Sequence, residues 1–423
     1  MLILLCLLST CFIQLSIGAP SRREDGSGIK LNEGEVLFEG DIILTKEQAA
    51  AMKESSRAKR QAVLNQKRWG DDTVNYYYDS NMGSENIRFM EAAIEYIRSR
   101  TCVNFVKNDK ATNRIRIMSN GGCASPIGFQ GVQQQTISFG NDCLMLGTAV
   151  QQLMRALGVD NEQKRFDRDK YLNVNGGNIS KAMGTTENSY ISIPFDFGSS
   201  MLAEFDEFGS GTIQPKDMEY KWTMGNRRVS FYDIVKINEH FKCKRKCNTQ
   251  LECKNGGYTN PANCNVCNCP RGYEGVLCDQ DPASKLYHKA STEWISYFIG
   301  YGPSVAYNFI HPFYAYVVIT APAQTTVEIQ LIQLDNFNCS KGCNSNGVEV
   351  KAHGDPRVTN PVFCCDNEIN DTKTITVKQL PARIELYSKV GVVTLTYRYR
   401  YIHQNYQVGN KTTNGFDCFD YWP

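Results

Sequence analysis

Four polar residues, Gln151, Gln152, Arg155 and Asn161, stand in or just beyond one apolar-periodic stretch and are spaced to work together. Gln151 and Arg155 are four apart, so a helix puts them on one face. Their chemistry is that of hydrogen-bond donors around a permanent cation, which suits a carboxylate or an extended peptide. Nucleophilic and metal chemistry have little to draw on. The chain has five histidines, His240, His288, His311, His353 and His403, and none falls between Gln61 and Glu239. That stretch therefore lacks a Ser-His or Cys-His pair and the imidazoles of an ordinary catalytic metal site. Carboxylates do occur in pairs, Asp160 with Glu162 and Asp167 with Asp169, and salt bridges or solvated loops account for them.

The element that must position these groups is a helix. Leu146, Val150, Leu153, Met154 and Leu157 recur at helical spacing and predict one buried stripe. Gly158 predicts a left-handed stop that returns the chain past Asn161. Around them, Gly147-Thr148, Leu153, Ala156-Leu157-Gly158, Glu162-Gln163, Arg165 and Asp167-Arg168-Asp169 resemble the zinc helix of the astacin family of metzincin peptidases, GT-x-x-H-E-L-x-H-A-L-G-F-x-H-E-Q-x-R-x-D-R-D. The resemblance implies an α+β metzincin-like domain. The chain departs from the pattern at its working positions: Gln151, Arg155 and Asn161 stand where the three zinc-binding His belong, and Gln152 stands where the general-base Glu belongs.

A second stretch, Phe195-Asp196-Phe197-Gly198-Ser199-Ser200-Met201-Leu202-Ala203, resembles the family's Met-turn, Y-D-Y-x-S-x-M-H-Y. Met201 is kept as the apolar floor. Ala203 replaces the Tyr that family members use as zinc ligand and oxyanion stabiliser. Gln and Asn are weak neutral ligands and a guanidinium repels a metal cation. Loss of the general base alone removes roughly two to four orders of magnitude in rate. No cofactor is expected; zinc belongs to the alternative in which unusual ligands rebuild the site.

Length and cysteine usage frame the rest. A chain of 423 residues suggests two or three domains. Residues 1–18 read as a secretory signal peptide, no later run is long enough to span a bilayer, and seventeen cysteines suit an oxidising, extracellular compartment. Cys6 and Cys11 leave with the signal, so the mature count is odd. The near-neutral net charge of +2 gives no case for nucleic-acid binding. Residues 19–60 read as a propeptide ending in the basic cluster Arg57-Ala58-Lys59-Arg60. Within it Phe38-Glu39-Gly40-Asp41 resembles the family's F-x-G-D latency switch, whose Asp binds zinc. Here Asp41 either pairs with Arg155 or is inherited sequence without a role.

Residues 61–243 form the peptidase-like domain, with an amphipathic helix over Ser84–Arg100 carrying Ile87, Met90, Ile94 and Ile97 on one face. Family pairing implies disulfides Cys102–Cys243 and Cys123–Cys143. Glu162 either receives the new amino terminus at Gln61, as its family counterpart does, or is a surface carboxylate beside Lys164 and Arg165. Residues 244–279 hold Cys247, Cys253, Cys264, Cys267, Cys269 and Cys278 and resemble an EGF-like module, which implies Cys247–Cys264, Cys253–Cys267 and Cys269–Cys278. Its leading Lys244-Arg245-Lys246 reads as a solvated hinge. Residues 280–423 are rich in short β-type runs that predict an all-β sandwich, and the pattern around Cys339, Cys343, Cys364 and Cys365 resembles a CUB domain. With Cys418 these cysteines number five, which leaves one free or joined to another chain. Sequons stand at Asn178, Asn338, Asn370 and Asn410.

The combined reading is a secreted pseudoprotease acting by binding extracellular proteins or peptides through its cleft and its CUB-like domain. The alternatives are an active zinc endopeptidase with unusual ligands and an extracellular structural or adhesion protein.

Overall fold

The computed structural model describes residues 35–38, 40–46, 48, 68–175, 192–305, 309–369 and 372–403. The expected signal peptide, the cleavage site at Arg57–Arg60, Gln61, Asn178, Asn370, Asn410 and Cys418 lie outside the described residues. The chain divides into two compact units: Met1–Leu251 with Thr259–Asn268 and Ser340–Asn344, and Glu252–Tyr258 with Cys269–Cys339 and Ser345–Pro423. The six-cysteine run is thus shared between the two units.

The first unit begins with an antiparallel hairpin, β1 (Glu35–Phe38) and β2 (Ile42–Thr45), turned at Gly40 with φ +77°. Next comes a five-stranded sheet made of β3 (Thr73–Tyr78), β4 (Asn104–Lys107), β5 (Arg114–Met118), β6 (Cys123–Ala124) and β7 (Gln134–Phe139), in the order β4-β3-β5-β7-β6. Its strands are parallel except β6, which runs antiparallel to β7. Helix α1 (Ser84–Arg98) makes the crossover from β3 to β4 and buries Phe89, Met90, Ala93, Ile94 and Ile97, the i, i+4 pattern of an amphipathic helix. It packs on α2 (Leu146–Leu157).

Helix α2 is buried on every side, not along one stripe as its periodicity suggests. Gly147 explains one close approach: a Cβ there would sit 2.1 Å from the Arg227 carbonyl oxygen, so no other residue fits without moving backbone. Gly158 ends the helix at φ +105°, and its N–H donates to the carbonyls of Arg155 and Met154.

Beyond α2 a small antiparallel pair, β8 (Leu172–Val174) and β9 (Ile213–Pro215), borders a cluster of Phe195, Phe197, Leu202, Phe205 and Met224. Helix α3 (Phe231–His240) opens on a Ser230–Asp233 capping box, in which each side chain satisfies the other's backbone N–H. His240 closes it, half-buried, with its carbonyl accepting from Arg68 at 2.8 Å. Burial, then the Arg68 charge, pushes the imidazole pKa down to about 4. Because the unfolded chain takes this proton more readily, stability is complete above the unfolded pKa near 6.5 and falls with pH through 4. The loss amounts to about 3 kcal/mol at most. Urea titrations of wild type and His240→Gln at pH 7 and 4.5 should show this slope flattened in the variant.

Disulfides join Cys102 to Cys243 and Cys123 to Cys143, and in the six-cysteine run Cys247 to Cys264 and Cys269 to Cys278; Cys253 and Cys267 are also disulfide-bonded. Two-residue strands β10 (Tyr258–Thr259) and β11 (Cys267–Asn268) pair within this run. The Lys244-Arg245-Lys246 cluster is more than a solvated hinge. It forms a helical turn in which Arg245 and Lys246 reach the Asp72 carboxylate at 2.7 and 3.5 Å.

The second unit is a two-sheet sandwich. One sheet has the order β12-β14-β19-β16-β17 and the other β13-β20-β15-β18. The strands are β12 (Lys285–Lys289), β13 (Ile295–Tyr301), β14 (Phe313–Thr320), β15 (Thr325–Asp335), β16 (Asn346–Val350), β17 (Val362–Phe363), β18 (Ile375–Val377), β19 (Ala382–Ser388) and β20 (Val393–His403). Val317, Ile319, Val327, Ile329, Val348, Ile384, Leu386, Leu395 and Tyr397 fill the space between the sheets. The end of the six-cysteine run is pinned to β19 by Arg271 on Glu385, 3.5 Å away, and by the Arg383–Asp281 ion pair. Cys339 pairs with Cys365, and Cys343 and Cys364 are also in disulfides, so every described cysteine of the five expected here is bonded.

Candidate functional site

The last turn of α2 carries the residues singled out by spacing, and all of them are buried. Arg155 is the largest fully buried side chain of the described residues, at 0% exposure; Gln151, Gln152 and Asn161 are buried with it. A buried guanidinium is tolerable only when its N–H groups find acceptors. One terminal nitrogen donates to the Asp41 carboxylate at 2.8 Å and to Asn161 Oδ1 at 2.9 Å. The other donates to the Asp41 main-chain carbonyl at 3.0 Å and to Gln152 Oε1 at 3.1 Å. Among the described residues, Arg155 Nε and Gln152 Nε2 have no hydrogen-bond partner. The structure thus gathers Asp41, Gln152, Arg155 and Asn161 into one cluster, with Gln151 buried on the same helix.

The cover is the N-terminal hairpin. Ile42 forms a strand-like bridge to Ser125: Ser125 N–H donates to the Asp41 carbonyl and Ile43 N–H to the Ser125 carbonyl, each at 3.1 Å. Ile42 and Leu44 pack on Ile127 with Phe38 at the margin, and the Lys164 ammonium lies 5.2 Å from the Phe38 ring. Sequence spacing suggests an open cleft lined by Gln151 and Arg155. The hairpin closes that place instead.

A second buried cluster lies directly beyond. Glu162 is 2% exposed, so it is not a surface carboxylate. Its Oε2 accepts from Lys236 Nζ of α3 at 2.5 Å, and Oε1 from the Asp196 N–H at 3.3 Å and from Arg165 at 3.4 Å. Asp233 accepts from the hydroxyls of Ser199 and Ser200 and from the Ser200 and Ser230 N–H groups. Burial, and then the Asp233 charge, raise the Asp196 carboxyl above the ordinary aspartate range. Met201 is fully buried, its carbonyl accepting from the Glu162 N–H; the Ala203 N–H donates to Gln163 Oε1. Lys236, Asp233 and Asp196 are not singled out by sequence. The one signal for Lys236 is a cation on the apolar stripe of α3, beside Ile237 and one turn from Tyr232. The remaining acidic residues of this region pair locally: Asp160 with Lys164, Asp167 with Arg165, and Asp169 with Arg168.

Residues 61–242 match the family model of the astacin peptidases. The chain is 41% identical to zinc metalloproteinase nas-17 of Caenorhabditis elegans over 98% of each chain. It is 40% identical to zinc metalloproteinase nas-16 of the same organism, over 79% of this chain and 75% of that one. Among solved structures, high choriolytic enzyme 1, a hatching-enzyme zinc protease from the medaka fish Oryzias latipes, aligns at 26% identity. The alignment covers 42% of this chain and 94% of that one, with a TM-score of 0.37.

The zinc of these relatives does not fit the side chains present. Asp41 Oδ2, Gln152 Oε1 and Asn161 Oδ1 each accept from a guanidinium, which is itself a cation and has no lone pair to offer a metal. No step through a metal is derived for this chain.

Proposed function

The chain belongs to the astacin family of peptidases, and from that premise we propose that it is a secreted member in which binding has replaced peptide-bond hydrolysis. One observation carries the reading: the Arg155 guanidinium, fully buried, is held by Asp41, Gln152 and Asn161 where the resemblance places ligands and base. An amide at Gln152 takes up no proton from water near neutral pH, and Ala203 has no hydroxyl to steady an oxyanion. What remains is a scaffold able to hold polypeptide, with a β-sandwich unit whose edge strands expose Tyr287, Tyr297 and Phe298 as a further contact surface for extracellular ligands. The six-cysteine run and the sandwich take the EGF-like and CUB-like parts in this reading.

The test pairs elemental analysis of the purified secreted protein with a broad peptide-library digest. The expected result is less than about 0.1 zinc per chain and no cleavage above a heat-inactivated control. Stoichiometric zinc with chelator-sensitive cleavage would establish the competing reading, an active endopeptidase with rebuilt ligands.

A further inference from the structure

The cationic turn that follows α3 has no part in the cluster around Arg155. Lys242, Lys244, Arg245 and Lys246 fall within five consecutive residues, and all four are exposed. Their backbone is fixed at both ends, since Cys243 is bonded to Cys102 and Cys247 to Cys264. Lys242 is held at φ +55°, a left-handed conformation that side chains rarely adopt, and Cys243–Lys246 form the helical turn. The Lys244 carbonyl accepts from the Cys247 N–H at 3.5 Å and from Gln250 Nε2 at 3.4 Å. Asp72 takes Arg245 and Lys246, yet their side chains stay 55% and 45% exposed. Among the described residues no carboxylate pairs with Lys242 or Lys244. Arg68 joins them, its guanidinium donating to the His240 carbonyl. Five cations thus stand against Asp71, Asp72 and Glu239, an excess of two positive charges, as much as the whole chain carries.

We propose that Lys242, Lys244, Arg245 and Lys246, with Arg68, bind sulfated polysaccharide chains. The ligand class follows from what the turn can and cannot read. Its disulfides suit an oxidising, extracellular compartment, where the repeating polyanions are sulfated glycans. An acidic peptide draws on main-chain partners as well, and here the carbonyls of Lys244 and Cys247 are already taken by Gln250. A membrane surface rewards apolar side chains set beside the cations. Among the described residues, no exposed large apolar side chain lies between Glu239 and Leu251. What remains is charge at fixed spacing: the ammonium groups act as point charges, and each guanidinium offers a fork to a sulfate. Because the backbone is already braced, little ordering entropy is lost on binding.

The experiment titrates a heparin octasaccharide, as the probe, into the full-length chain at a series of salt concentrations. The variant Lys242→Asn/Lys244→Ser/Lys246→Ser leaves Arg245 on Asp72 and puts at the left-handed position a residue that tolerates it. It should bind about tenfold or more weakly, and the slope of log affinity against log salt should shallow by about three, roughly one per lysine removed. The control Lys110→Ser/Lys170→Ser/Lys378→Ser takes the same charge from exposed lysines elsewhere and should stay within about twofold of wild type. Octasaccharide stripped of its sulfates should not bind. A further readout needs no variant: chemical acetylation of the wild-type chain with heparin present should spare Lys242, Lys244 and Lys246 and still modify Lys110 and Lys170, as read by mass spectrometry. Absent binding to the wild-type chain, equal weakening in the control, equal binding of the desulfated probe, or acetylation indifferent to heparin overturns the proposal. Tighter capture by phosphatidylserine vesicles than by heparin overturns it in favour of a membrane. Zinc content and peptide cleavage bear on none of these outcomes, so this inference fails separately from the non-catalytic reading.

Discussion

Arg155→Ala is expected to destabilise the first unit by about 3–5 kcal/mol, because it leaves the Asp41 carboxylate buried without its cation. The same change strips Gln152 Oε1 and Asn161 Oδ1 of their donor, and unsatisfied buried acceptors add to the loss. Urea unfolding monitored by tryptophan fluorescence measures it, since Trp69 donates from its indole N–H to the Ala156 carbonyl beside the cluster. The double variant Arg155→Ala/Asp41→Ala should recover part of the loss, giving a coupling above about 1 kcal/mol. Strictly additive single losses would mean that the two charges stabilise the fold independently. Replacing both with apolar residues of similar volume is expected to come close to wild type, since the desolvation cost of the pair offsets much of its attraction.

Lys236→Met should cost about as much, 3–5 kcal/mol on the same argument, and act through a different part of the unit. Lys236 is buried between Glu162 and Asp233, 2.5 and 4.0 Å away, and its removal leaves two neighbouring carboxylates with one cation fewer. Arg165, at 3.4 Å from Glu162, also serves Asp167 and cannot take the whole charge. Pairing Lys236→Met with Glu162→Gln should restore most of the loss, whereas pairing it with a change at Arg165 should not. A Lys236→Met midpoint within experimental error of wild type would show that Glu162 draws its stability from Arg165 alone.

What can be read from the sequence divides along the range of the interactions. The α2 segment, its glycine stop and the Cys102–Cys243 and Cys123–Cys143 bridges follow from local pattern and family spacing, and the structure contains each. Most long sandwich strands are visible as β-type runs. The edge strands β12 and β13 are not, because they carry exposed Tyr287, Tyr297 and Phe298 where alternation calls for polar residues. The burial of Gln151 and Arg155 is out of reach of periodicity: the segment that covers them lies 114 residues upstream of Arg155. The fate of Glu162 is hidden for the same reason, its partner Lys236 being 74 residues downstream. A buried charge is set by a distant counter-charge, and one helix read alone shows only the first of the two.

The clash that a Cβ at Gly147 would make with the Arg227 carbonyl bears on how chains of this kind are sorted. Gly147 holds its place through backbone proximity, and Gly158 holds its own through a left-handed turn. A signature weighted toward such positions goes on matching wherever the polypeptide must still follow this path. Matches gained through this helix therefore report on geometry, and they carry no information about turnover. Telling a working peptidase from a retired one falls to the few side chains that packing does not dictate.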